Sequence, residues 1–468
     1  MSFATPVFLW LFMPVVLASY FVLPARHRNA LLAVASLVFY AYGAHGQVFL
    51  LLACIAVNYG AGARIEATTD VQLRNAILAA TVVADVGVLA YWKYAGFFSG
   101  GVISVALPIG ISFFTFHLLS YVIDVWRGRS HALRRPLDFA AYIAMFPQLI
   151  AGPIVRYHEI ADQLAEIRDD RWADLAAGFP RFMYGLGKKV IIADSIGPIA
   201  NAVFDQPTGH LTTASAWLGT MAYAMQLYFD FSGYSDMAIG LAAMFGFRFP
   251  ENFNRPYSAY SITDFWRRWH MSLSRWFRDY LYIPLGGNQG SAFSTYRNLL
   301  LVFALTGLWH GAAWTFLIWG LYHGGLLIYE RSRPRLRETQ SEGASEPALG
   351  SVVWMRARTF SLVLFGWVLF RAPDLAHAFG VYRAMFTPRG IALDAVTSAT
   401  WSHERRFILL VSLVVLLLPR DFVMGKVLDA GRSTAARVSR LVVVLGLTPL
   451  VAILVVAGTF SPFLYFQF

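Results

Sequence analysis

Apolar runs alternate with short polar segments along almost the whole chain. The runs fall at about 7–23, 30–43, 47–63, 75–92, 102–124, 138–155, 176–203, 213–246, 295–309, 311–330, 351–370, 405–419 and 441–460. A helix that spans a bilayer needs about 20 apolar residues. Several runs are shorter, and some hold Pro or Gly. Broken or re-entrant helices are tolerated at membrane depth only where protein encloses them. The pattern predicts an all-α polytopic membrane bundle of about eleven spans, with re-entrant and amphipathic helices. It reads as one integral-membrane domain over 1–468 with a core at about 105–330. Runs 138–155 and 295–309 are expected not to cross fully. Residues 331–350, rich in Glu, Ser, Gln and Pro, read as a cytoplasmic loop.

Composition supports the membrane assignment. Charged residues make up 14% of the chain and hydrophobic ones 57%, whereas a soluble domain carries roughly 25% charged residues. In a soluble protein the net charge of +11 would point to nucleic acid. Here the basic residues sit between apolar runs, the positive-inside pattern of cytoplasmic loops, so lipid contact is expected and no nucleic acid. Arg127–Arg135, Arg331–Arg337 and Arg420–Arg440 are the strongest such segments. The first run has no basic residue before it and is followed by Arg26-His27-Arg28. No cleavable signal is expected, and the N-terminus is placed outside the cytoplasm. Outward, inward and outward crossings by the last three runs put the C-terminus outside as well. The single cysteine, Cys54, rules out an intrachain disulfide or a cysteine cluster.

Candidate chemistry concentrates between Trp266 and His323. Apolar positions 262, 265, 266, 269, 273, 276 and 277 share one helical face, with Arg267, Arg268, Arg275 and Arg278 largely opposite. This predicts an interfacial amphipathic helix, capped by Ser261 with Asp264, that carries His270 at its apolar edge. His310 lies between two apolar runs, flanked by Trp309 and Gly311, with Gly307 a turn earlier. Tyr322-His323-Gly324 repeats the aromatic-His-Gly pattern. Ionisable groups at membrane depth mark pathways or catalytic sites, and histidine can exchange a proton near neutral pH. A packed, hydrogen-bonded histidine fits the same spacing. The intervals between the histidines lack metal-ligand spacing, so no metal is expected. No Gly-x-Ser-x-Gly motif is present. Asp230 and Asp236 are six residues apart, so they do not share a face of a straight helix. Ser232 and Gly233 offer a break between them. Lys188, Lys189, Arg267 and Arg268 are candidate partners for these carboxylates, or ligands for the phosphates of a nucleotide-like donor. Snorkelling to the interface is the plainer alternative for each.

Several longer stretches carry a resemblance. They include Phe39-Tyr40, Leu107–Phe113, Phe146–Pro153, Tyr228–Asp236, Phe265–His270, Arg278–Ile283, Leu285–Asn288, Leu308–Gly311 and the tail Ser461–Phe468. Together they resemble the membrane-bound O-acyltransferase family, in its alginate O-acetyltransferase branch, over nearly the whole chain. The resemblance implies an acyltransferase of the cell inner membrane that takes an acetyl group from a cytoplasmic thioester. Acetyl-CoA would be the donor substrate, with no bound cofactor. A partner of the SGNH type would then acetylate an exported polysaccharide on the far side. The family's catalytic histidine maps onto His310 and its second, variable position onto His270. Trp309, His323, Asp230 and Asp236 would support them, and Arg267, Arg268, Lys188 and Lys189 would bind the donor. The alternatives are a polysaccharide-export transporter or scaffold, or transfer of a longer acyl or D-alanyl group.

Overall fold

The computed structural model describes residues 1–103, 105–165, 170–333, 348–420, 422–429, 433–458 and 462–464. Most of the expected cytoplasmic loop at 331–350, and most of the tail Ser461–Phe468, lie outside these residues. Among the described residues every regular element is helical. Four helices are long and apolar enough to cross a membrane by themselves: Val48–Ala67, Val71–Phe98, Leu349–Arg371 and Thr434–Ala457. These four do not establish the expected count of about eleven spans. The chain forms two compact units.

The first unit comprises Met1–Leu186, Tyr234–Glu251 and the described residues from Gly425 onward. Its centre is aromatic, with Phe8, Phe12 and Phe39 packed on Phe146 at ring-centroid separations of 5.4–6.1 Å. Helix Ile111–Trp126 is buried along nearly its whole length. It begins later than the apolar run 102–124 because Pro108 and Gly110 form a turn. Gly110 has φ +76°, and a Cβ there would lie 2.6 Å from the Leu149 carbonyl oxygen, so only glycine fits. Run 138–155 is broken, as its length implied, into Pro136–Ala144, Phe146–Leu149 and a buried irregular stretch. Side chains satisfy backbone freed by the break. Ser36 Oγ accepts from Phe146 N at 3.0 Å, and Gln148 Nε2 donates to the Tyr142 carbonyl at 2.6 Å.

A buried arginine ties distant parts of this unit together. Arg181 binds Asp236 at 2.9 Å and Glu251 at 2.8 Å, and also pairs with Asp429. The sequence left Asp236 open between catalysis and pairing with a buried cation, and it is paired.

The second unit comprises Gly187–Gly233 and Asn252–Met424. A π-helical stretch, Lys188–Ala193, leads into helix Asp194–Phe204. Helix Thr213–Met244 runs unbroken through Ser232 and Gly233. Helices Ala292–His310 and Trp314–Arg331 form a tight hairpin. Gly307 sits against the Phe316 backbone and Gly320 against the Phe303 backbone, so closely that a Cβ at either would collide. The close approach admitted by Gly307 is therefore used by a neighbouring helix. Helices Leu375–Phe386 and Ala395–Thr400 had no counterpart in the hydropathy pattern. They are capped by Asp374 and Asp394, whose side chains accept from His377 N and Thr397 N.

The predicted amphipathic helix is corrected. Its seven apolar positions are all buried, but the backbone forms two short helices, Ile262–Trp266 and Met271–Phe277. His270 lies between them in the left-handed region, at φ +43°. The periodicity reported burial faithfully. It could not report hydrogen bonds from outside the segment, and these break the helix.

Breaking a buried ion pair by removing one partner typically costs about 3–5 kcal/mol, whereas an exposed pair is worth about 1 kcal/mol or less. Arg181→Met should therefore lower stability by about 3–5 kcal/mol. Asp205→Asn, which removes the exposed end of the Arg371–Asp205 pair, should cost about 1 kcal/mol or less. Thermal unfolding of the purified variants checks both.

Candidate active site

His310 is the last residue of its helix, where Gly311 turns extended and the hairpin begins. The turn folds the next helix back against the imidazole. Trp319 meets it edge-on at 5.3 Å, Phe370 lies at 5.0 Å, and Trp309 at 4.8 Å. Trp319 also contacts His323 at 5.2 Å. His323 is fully buried, with Trp266 at 5.1 Å and Phe265 stacked at 6.5 Å. Neither of its ring nitrogens makes a hydrogen bond among the described residues.

His270 reaches the same aromatic network through Trp309, at 6.4 Å, and packs edge-on to Phe231 at 4.7 Å. A non-glycine residue in the left-handed region costs about 1–3 kcal/mol and persists only when its surroundings enforce it. Asn252 supplies that enforcement. Its backbone carbonyl accepts from Met271 N at 2.9 Å, and Asn254 N donates to the Arg268 carbonyl at 2.9 Å. The Asn252 Oδ1 accepts from Ser272 Oγ at 2.8 Å and Ser272 N at 3.3 Å, and it lies 3.0 Å from His270 Nδ1. Because Oδ1 is an acceptor only, Nδ1 must carry the proton, and in the neutral ring Nε2 holds the lone pair.

The short helix before His270 is fixed at its start. Glu330, near the end of the hairpin's second helix, accepts from Ile262 N at 2.7 Å, Thr263 N at 2.9 Å and Thr263 Oγ1 at 2.8 Å. A carboxylate at a helix start satisfies orphan N–H groups and opposes the dipole. The expected cap is present, with Ser261 Oγ accepting from Asp264 N at 3.0 Å. Asp264 reaches back to Tyr260 N at 3.1 Å. It also binds Arg268 at 2.7 Å and pairs with Arg420.

The structure thus separates the sequence candidates. His270, Trp309, His310 and His323 join one network of ring contacts. Arg268 is held by Asp264, while Arg267 is exposed and forms no ion pair among the described residues. Lys189 is buried between Asp230 at 2.8 Å and Asp194 at 2.7 Å, and Lys188 donates to Ser232 Oγ at 3.3 Å. Asp236 belongs to the other unit. Among the described residues no three His, Cys, Asp or Glu side chains gather as metal ligands. Sequence reasoning passed over Asn252 and Glu330. Asn252 sits in the polar stretch Glu251-Asn252-Phe253-Asn254-Arg255-Pro256, whose Asn and Pro content reads as an ordinary turn.

The chain as a whole has relatives among known proteins. The profile of the membrane-bound O-acyltransferase family matches residues 46–369. The chain belongs to this family, and it is an O-acyltransferase. It is 44% identical to a probable alginate O-acetylase AlgI of Azotobacter vinelandii, over the full length of both. A peptidoglycan O-acetyltransferase of Helicobacter pylori is 37% identical, over 84% of this chain and 81% of its own length. A teichoic acid D-alanyltransferase of Bacillus subtilis is 32% identical, over 58% of this chain and 70% of its own. Family membership sets the enzyme apart from the transporter alternative.

Asn252→Ala would leave buried donors of Ser272 and His270 without their acceptor, a loss of about 1–3 kcal/mol. Acyl transfer should fall at least about tenfold as His270 loses its fixed tautomer and backbone geometry. Ser272→Ala, which keeps the His270 contact, should be the milder change in both. Rates and unfolding temperatures measured side by side check this.

Proposed function

We propose that the protein moves an acetyl group from a cytoplasmic thioester, acetyl-CoA, toward the opposite face for O-acetylation of an exported polysaccharide. The observation that carries this reading is the pair of buried imidazoles, His310 and His270, both in ring contact with Trp309 among aromatic side chains. The acetyl group is favoured by the relatives. Those at 37–48% identity bear O-acetylase or O-acetyltransferase names, and the D-alanyltransferases stand at 27–32%. The polysaccharide follows from the alginate and peptidoglycan in the first group's names. An SGNH-type acetyltransferase outside the membrane is the proposed partner, the inner membrane the proposed location, with both termini extracytoplasmic.

In this mechanism His310 accepts the proton of an acceptor hydroxyl as its oxygen attacks the thioester carbonyl. The tetrahedral intermediate collapses with cleavage of the C–S bond. The thiolate leaves and takes the proton back from His310, giving an ester and a free thiol. No protein nucleophile enters. His270, with Nδ1 fixed by Asn252, orients the acyl group or holds the donor. The aromatic walls keep bulk water from competing as acceptor. For the donor phosphates Arg267 is the first choice, since Arg268 is already engaged by Asp264. Guanidinium groups suit phosphate through paired hydrogen bonds.

Removing a general base typically costs about 10²–10⁴-fold. His310→Ala should abolish detectable transfer from acetyl-CoA while the purified protein keeps its unfolding temperature. His270→Ala should be nearly as damaging and His323→Ala milder. Wild-type turnover in folded His310→Ala protein would end the assignment. Equal losses in all three variants would remove any special role for His310. In the same thiol-release assay, Arg267→Gln should raise the donor KM more than it lowers kcat.

A further inference from the structure

The first unit contains a cavity of about 690 Å³ that the acyl-transfer chemistry does not use. That volume is within the range of small-molecule sites, about 300–1,000 Å³. It lies where three helices begin: Ala25–Ala44, Pro136–Ala144 and Tyr157–Ala165 each contribute residues from their first turn. The segment 129–135 also lines it. Its lining holds five guanidinium groups, on Arg26, Arg28, Arg129, Arg134 and Arg135, against the carboxylates of Asp138 and Asp162.

The walls are built rather than incidental. Asn29 donates to Asp138 at 3.0 Å and to the Leu164 carbonyl at 2.8 Å, tying one helix start to the other two helices. Tyr157 OH donates to the His131 carbonyl. The rings of His131 and His158 are bound to Glu66 at 2.7 Å and Asp124 at 2.8 Å. Arg28 lies buried against the Tyr20 ring at 5.1 Å. Arg129, Arg134 and Arg135 are exposed and make no ion pair among the described residues.

Basic residues that only orient a membrane protein need a loop, not a cavity. Here positive side chains and the positive ends of three helix dipoles line one concave space. Helix starts favour anions, and guanidinium forks match the oxygens of a phosphate. We propose that this cavity binds a phosphate-bearing ligand, supplied either as the headgroup of an anionic phospholipid or as a soluble phosphate compound. The proposal does not depend on the acetyl-transfer reading, because its readout is binding.

The test compares the full-length protein with the triple variant R129Q/R134Q/R135Q. In neutral detergent, unfolding temperature is measured with and without inorganic pyrophosphate. In nanodiscs of mixed phosphatidylcholine and phosphatidylglycerol, the lipids retained by each protein are measured by native mass spectrometry. The wild type should show a pyrophosphate-dependent rise, a preference for phosphatidylglycerol, or both, and the triple variant should lose it. A pyrophosphate shift without lipid preference assigns a soluble phosphate ligand, and the reverse assigns a headgroup. If the triple variant fails to fold, R129Q and R134Q singly should each weaken the wild-type response. Absence of both responses in the wild type, or their full persistence in folded variants, would overturn the proposal.

Discussion

Hydrogen bonds from one short segment, Asn252 to Asn254, hold the break in the chain at His270. Backbone that leaves a helix inside a membrane protein must find its hydrogen bonds within the protein. Between Trp266 and Met271 those bonds come from Asn252 and its neighbour Asn254. With them, the chain stops one helix, holds His270 in a conformation that side chains disfavour, and starts another. Without them, the local periodicity would be free to run on as one helix, which would turn His270 away from its present place beside Trp309. Residues 252 and 254 are far from His310 in sequence, yet they belong to the same device.

The interior charges follow a consistent economy. Lys189, Arg268 and Arg181 each face at least one carboxylate, and two of the three face several. Removing charge from water is costly unless the charge is paired and hydrogen-bonded. These groups hold the scaffold together, which leaves imidazoles and aromatic rings around the candidate reaction centre. Such surroundings suit a thioester carbonyl and a hydroxyl, neither of which brings a formal charge to be compensated.

Much of this was legible in the sequence. The run at 213–246 became one helix, and the runs around His310 became a hairpin, because hydropathy reports burial and burial dominated there. The shortness of 138–155 disclosed a broken element. His270, Trp309, His310 and His323 were named from chemistry alone and converge in space. What escaped depended on contacts between distant residues. Nothing local distinguishes Asn252 from a turn asparagine, or Glu330 from a carboxylate at the end of a helix. The pairing of Lys189 with Asp230 was offered among several options because sequence gives no distance. The break at His270 was hidden by a periodicity that survived it, since all seven apolar positions are buried on both sides of the interruption.

The glycine contacts in the Ala292–His310 and Trp314–Arg331 hairpin have a mechanical consequence. Gly307 and Gly320 bring backbone against backbone, with no flexible side chain between. Two helices meshed in this way cannot slide along each other by small steps, as helices separated by leucines can. When a bilayer is thicker or thinner than the protein prefers, helices respond by tilting, kinking or deforming the lipid around them. This pair must tilt as one body. The spacing between His310 and Trp319 is therefore insulated from the thickness of the surrounding membrane, and the register of the site is set by the main chain itself.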